Sequence, residues 1–206
     1  MSEKHTNVES ESELQNHALS ASIDHILQAA YVVYSKDKLN LINSLLMNKL
    51  ISSVLIFAAS KANTKTAARE LRKLGYESYD IHEDMDPEKR EIVLEDFTDK
   101  EFQILVVSDI LVREISLSDI NLIINYDAPN SARDYVARIV QNTASNNSAV
   151  VITFINDRGQ KKFKLIEDVL GKEIFKIEVP TDLVDASGSI EDNSNKRTVK
   201  KKPIKR

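Results

Sequence analysis

The chain has 206 residues, 42% of them hydrophobic, enough for one core of ordinary domain size. It contains no cysteine, which excludes disulfides, thiolate metal sites and a thiol nucleophile, and its four histidines (His5, His17, His25, His82) lack metal-ligand spacing. The net charge of −4 conceals an asymmetry: seven bases (Lys196, Arg197, Lys200, Lys201, Lys202, Lys205, Arg206) fall in the last eleven residues, leaving −11 for residues 1–195.

In chain order, residues 1–20 are polar and read as a flexible leader. A secretory signal would need a basic start and then an apolar stretch, and no apolar run reaches bilayer length, so a cytoplasmic protein with no membrane partner is expected. Asp24–Tyr34 reads as a strand leading into a helix over Lys38–Met47. Four runs rich in β-branched residues follow: Val54–Phe57, Ile104–Val107, Leu122–Asn125 and Ala149–Ile155. They are apolar at alternate and intervening positions alike, as strands buried on both faces of a parallel sheet must be.

Helical periodicity fills the gaps. Ala67, Leu71 and Leu74 form one apolar face, with Gly75 as the stop. Ile92, Val93 and Phe97 form a second, entered at Asp86-Pro87, where Asp caps and Pro suits the first helical position. Phe163, Ile166, Val169 and Leu170 form a third, closed by Gly171. Strands alternating with helices predict a single-domain α/β fold over 21–180, a doubly wound parallel sheet with helices on both faces. Residues 181–206 read as a disordered linker ending in the basic tail.

Ligands of such sheets sit beyond the carboxyl ends of the strands, which directs attention to Ala58–Lys61, Ser108–Ser116, Tyr126–Asn130 and the helix Ala132–Gln141. Glycine is too sparse for a phosphate-cradling loop: Gly75, Gly159, Gly171 and Gly188 stand more than ten residues apart. No GxSxG elbow accompanies the serines, and acids such as Glu83-Asp84 at a helix entrance read as cap and dipole partners. No catalytic residue and no metal site is nominated. His82 reads as a structural, hydrogen-bonded histidine, and Tyr126 and Tyr135 as core.

Five segments stand in order at the strand ends: Ser53–Ser60 (SVLIFAAS), His82–Arg90 (HEDMDPEKR), Val107–Arg113 (VSDILVR), Ile124–Pro129 (INYDAP) and Asp134–Ile139 (DYVARI). Over roughly residues 24–180 this set resembles the C-terminal, second RecA-like domain of bacterial DEAD-box RNA helicases. The resemblance implies a RecA-like sheet that, in the family, forms half of a cleft for ATP and RNA with a first domain bearing the phosphate loop. The family's last motif, HRIGRxGR, runs here from Ala137 to Ala144: Arg138 matches, but the two arginines that stabilise the transferring phosphoryl group become Gln141 and Ala144. One such arginine is worth on the order of 10³–10⁵ in rate. The motif TDxxxRGxD becomes Ser108–Ser116, keeping Asp109 and Arg113 but placing Glu114 at the glycine and Ser116 at the nucleotide-sugar aspartate. No cofactor is therefore expected, and these positions count against ATP contact.

Ser60, Arg90 and Ser108 match positions that contact the RNA backbone in the family, with Lys61, Lys65 and Arg69 adding charge nearby. Against them, the family's His-Gly is His82-Glu83 and its glutamine is Pro87. The expectation is a degenerate, non-catalytic helicase module with weak, salt-sensitive RNA contact, made mainly by the tail, with Lys200, Lys201 and Lys202 as candidates. Two alternatives are a protein-interaction module docking on an active helicase or a ribosome-assembly factor, and a helicase half acting in trans with a separate first domain.

Overall fold

The structure, a computed structural model, describes residues 13–47, 50–112, 114–143 and 149–179. Among the described residues seven strands make one sheet: β1 (Leu27–Val32), β2 (Val54–Ala58), β3 (Ser78–Ile81), β4 (Ile104–Ser108), β5 (Leu122–Asn125), β6 (Val150–Ile155) and β7 (Phe175–Glu178). Their order is β3-β4-β2-β5-β6-β1-β7, and every pairing is parallel. This is the doubly wound parallel sheet that the alternating pattern predicts.

Along β2 the side chains alternate between two cores. Leu55 and Phe57 enter one cluster, Val54 and Ile56 the other, and all four are fully buried. On the face of Val54, helices α2 (Lys38–Leu46) and α3 (Lys61–Lys73) contribute Leu41, Ile42, Ala67 and Leu71. On the opposite face, α4 (Pro87–Thr98), α5 (Ala132–Thr143) and α6 (Asp157–Leu170) contribute Phe97, Tyr135, Ile139, Phe163 and Ile166. The central strands have no polar face because neither side meets water.

The helix boundaries follow their end chemistry. Ser60 caps α3 by accepting from the Asn63 N–H, and Asp86 caps α4 by accepting from Glu88, with Pro87 at the first turn. Gly171 ends α6 at φ 65°, and Gly75 follows α3 at φ 93°, both in the left-handed region where a Cβ is costly.

Three features differ from the sequence-based expectations. Residues 13–21 are helical (α1), whereas 1–20 reads as a flexible leader; Leu19 packs against the core and Ser20 is buried. The two edge strands, β3 and β7, carry no continuous apolar run, because a sheet edge leaves side chains in water: Tyr79 and Phe175 are both exposed. Leu74 and Ile92, expected on buried helix faces, point outward. The linker and tail, 181–206, and residues 1–12 lie outside the described residues.

Leu55→Ala is expected to cost about 2–5 kcal/mol in urea unfolding, since the closely packed centre of the sheet closes poorly over a lost isobutyl group. Ile92→Ala should stay within about 0.5 kcal/mol, the range for an exposed site.

Candidate functional site

Because all seven strands run the same way, their carboxyl ends line one edge of the sheet. Register places Ala58 beside Ser108 and Ile81 beside Val107, so the segments after β2, β3 and β4 converge there. Four of the sequence-predicted residues gather at this edge: Ser60 and Lys61 at the start of α3, Arg90 in the first turns of α4, and Ser108 at the end of β4. Arg113, Lys200, Lys201 and Lys202 lie outside the described residues, as does Ala144.

Each gathered residue has a partner inside the domain. The buried Ser108 hydroxyl donates to the Glu83 carboxylate at 2.9 Å. Arg90 donates through Nη1 to Glu114 at 3.3 Å, and Lys61 pairs with Asp84. The Ser60 hydroxyl serves as the α3 cap. The Glu83 carboxyl is held below the usual glutamate range by a hydrogen bond from its own backbone and then by the Ser108 hydroxyl. Asp84 is likewise lowered, first by its hydrogen bond from Lys61. His82 is buried beside them, with Nδ1 lacking a hydrogen-bond partner, so the expected hydrogen-bonded histidine is not found at that atom.

Deeper in the edge, Arg138 of α5 is 1% exposed and joins three strands. Its Nη2 lies 2.8 Å from Asp109, at the end of β4, and its Nη1 donates to Asn125 of β5 at 2.7 Å. The guanidinium also lies 5.0 Å from the Phe57 ring centroid of β2. Asn125 in turn donates to Thr153 of β6. Burial pushes the Asp109 carboxyl up, and the Arg138 charge pulls part of that back. Both residues are positioned to hold strands together rather than to face a ligand.

Of the three positions that the helicase resemblance assigns to nucleotide, Ser116 and Gln141 are bonded to one another, and Ala144 lies outside the described residues. The Ser116 hydroxyl donates to the Gln141 carbonyl at 3.1 Å, and the Leu117 N–H donates to the Asn142 side chain. Oε1 of Gln141 is buried without a hydrogen-bond partner.

A further pair escaped sequence reasoning. Between the ends of β2 and β5, where the chain's crossovers change face, lies a cavity of about 210 Å³ lined by Lys38, Asn63, Asp127, Asn130, Asn156 and Lys162 among others. Lys38, 3% exposed, pairs with Asp127 at 2.8 Å and sits 4.4 Å from the Tyr126 ring centroid. Burial alone would raise the Asp127 carboxyl, but the Lys38 charge and hydrogen bonds from Lys38, the Ala59 N–H and Asn63 hold it below the ordinary range. The same burial, with the Asp127 charge, pushes the Tyr126 hydroxyl up to about 12. A lysine opening an amphipathic helix reads as solvent-exposed, which is why the sequence concealed it.

Residues 37–141 match the helicase conserved C-terminal domain family. The ATP-dependent RNA helicase DbpA of Bacillus subtilis is 32% identical over 157 residues, covering 76% of this chain and 33% of that protein. The chain thus spans about a third of the length of such curated relatives. A crystal structure of a DEAD box protein from the hyperthermophile Methanococcus jannaschii superposes with TM-score 0.67 at 30% identity, over 75% of this chain and 42% of that one. The C-terminal domain of the DEAD-box protein Dbp5 superposes with TM-score 0.71 at 23% identity, over 80% and 97% of the two chains, a likeness of fold.

Arg138→Ala is expected to cost about 3–5 kcal/mol, because it strands the Asp109 carboxylate in the interior; chemical denaturation measures it. Asp127, with its lowered folded pKa, contributes stability fully above the unfolded value of about 3.9 and loses it as pH falls through the folded value. Urea midpoints of the wild type and Asp127→Asn should therefore differ at neutral pH and converge as pH falls through the folded value.

Proposed function

The chain belongs to the helicase conserved C-terminal domain family, in the form found in DEAD-box RNA helicases, and from that premise we propose that it is a degenerate member with no ATPase or unwinding activity of its own. In this reading it is an RNA-associated accessory module whose RNA contact runs through its basic C-terminal residues. The observation that carries the reading is the bond between Ser116 and Gln141. An aspartate for the nucleotide sugar and an arginine for the transferring phosphate are the side chains the family resemblance calls for at these places. A serine and a glutamine supply neither charge, and the serine hydroxyl is spent on the backbone of the other position. Transition-state charge on a phosphoryl group would meet no cation from Gln141.

The basic residues 196–206 support RNA as the partner, since seven cations without an acid attract a phosphate chain whatever its sequence. The acidic remainder of the chain offers no comparable attraction.

A second reading, a protein-docking module, is favoured by one surface. Leu27 of β1 and Phe175 of β7 are 66% and 73% exposed, and the register puts them on the same face at the end of the sheet. Large apolar side chains grouped in water mark interaction sites more often than isolated ones do.

The purified chain should hydrolyse no ATP above background with or without RNA. In fluorescence anisotropy with single-stranded RNA across a salt series, residues 1–206 should bind and residues 1–195 should not. The log–log salt slope should approach about −5 if all seven bases neutralise phosphates. RNA-stimulated hydrolysis would overturn the non-catalytic reading. Binding retained by 1–195 would overturn the tail assignment, and absence of binding by both forms would move the weight to protein docking.

A further inference from the structure

Glu83 and Glu114 stand at two positions where the resembling family carries glycine. They come from different segments, the turn after β3 and the loop after β4, yet each reaches back to a residue at a family RNA-backbone position. Glu83 accepts the Ser108 hydroxyl at 2.9 Å, and Glu114 accepts Arg90 Nη1 at 3.3 Å. A phosphodiester oxygen and a carboxylate oxygen make the same demands of a hydroxyl or a guanidinium: each is an anionic acceptor. We infer that Glu83 and Glu114 are internal stand-ins for the phosphates of a bound strand, closing the groove to polyanions from within.

The geometry separates this from ordinary surface pairing. Ser108 is 0% exposed, and its hydroxyl is engaged by the Glu83 carboxylate at the carboxyl edge of the sheet. Arg90 is only 21% exposed, and Glu114, at 62%, takes the guanidinium from the solvent side. The Arg90–Glu114 pair, exposed on the Glu114 side, adds little to stability, so the fold does not require it. The effect of the two carboxylates is on what else can approach. An incoming phosphate meets donors already engaged and two added negative charges where the family has no side chain. Glu83, held below the usual glutamate range by its backbone hydrogen bond and Ser108, stays charged at neutral pH. The loss of groove binding is thus an active exclusion, and removing two carboxylates should reverse it while Ser60, Lys61, Arg90 and Ser108 remain in place.

The inference rests on the chain being a degenerate helicase C-terminal domain but not on the tail, and the test keeps the two apart. In the full chain, E83A/E114A is compared with the wild type and with E88A/E95A, which removes two α4 acids that no observed ion pair uses. Binding to a single-stranded RNA carrying 4-thiouridine is followed by anisotropy, and photo-cross-linked peptides are mapped. E83A/E114A is expected to bind at least about tenfold more tightly, as loss of two close like charges warrants. New cross-links should appear within residues 60–61, 82–90 and 108. Arg90→Gln added to E83A/E114A should cancel the gain. Glu114 is exposed and its loss should leave the urea midpoint unchanged, whereas Glu83→Ala takes the acceptor from the buried Ser108 hydroxyl and should cost about 1–3 kcal/mol, so the folded state of E83A/E114A is verified by its urea transition before binding is compared. No gain, an equal gain from E88A/E95A, or a gain that survives Arg90→Gln would each overturn the inference. Absence of tail cross-links in the wild type would instead count against the tail-mediated reading alone.

Discussion

The structure turns on one buried cation. Arg138 enters the carboxyl edge of the sheet from α5 and finds Asp109 of the β4 end, Asn125 of β5 and the ring of Phe57 on β2. An uncompensated guanidinium at 1% exposure would cost several kcal/mol, so these partners must arrive together or not at all. That requirement fixes the relative height of three adjacent strands and the axis of α5 on top of them. It also fixes where the strand-end loops begin, since Asp109 follows Ser108 directly and Asn125 precedes Tyr126 and Asp127. A second buried charge repeats the device on the other face, with Lys38 of α2 held by Asp127. The edge of the sheet is therefore rigid for reasons of charge burial, independent of any ligand.

On that rigid edge the side chains have been rearranged into a closed set. Ser108 answers to Glu83, Arg90 to Glu114, Lys61 to Asp84, and Ser116 to the Gln141 carbonyl. None of these contacts is needed to bury apolar surface, and several are exposed to water. They matter by occupancy. A groove whose donors already have acceptors gains less from a phosphate chain than one whose donors face solvent, because it must break a bond to make a bond.

What the sequence made legible follows burial. The runs at 54–57, 104–107, 122–125 and 149–155 became β2, β4, β5 and β6 because strands in the sheet interior must be apolar on both faces. β3 and β7 escaped for the converse reason: at the edges Tyr79, Phe175, Lys176 and Glu178 stand in water, and four residues carry too little pattern to read. Residues 13–21 were hidden because their helix anchors through few side chains, Leu19 and Ser20 among them, while Leu14 is 69% exposed. At the site, the identities of Ser60, Arg90, Ser108, Asp109 and Arg138 came from motif order. Their partners could not, since Glu83 and Ser108 are 25 positions apart and meet only through the β3–β4 pairing.

Apart from Gln141, whose Oε1 is buried, burial also distinguishes most described motif residues that match the helicase pattern from those that depart from it. Ser108, Asp109 and Arg138 match and are buried or nearly so, held by bonds the fold itself uses. Ser60 matches and is exposed, but its hydroxyl caps α3. Glu83, Pro87, Glu114 and Ser116 depart, and all four are exposed positions. Among the described residues named here, a purely structural rule accounts for every match except one. Arg90 is neither a cap nor a core partner, and the ion pair that holds it is made by Glu114, itself a departure. A cation kept without a structural duty, and answered by an acid placed where glycine would stand, is the arrangement expected when a phosphate contact has been replaced by an internal one.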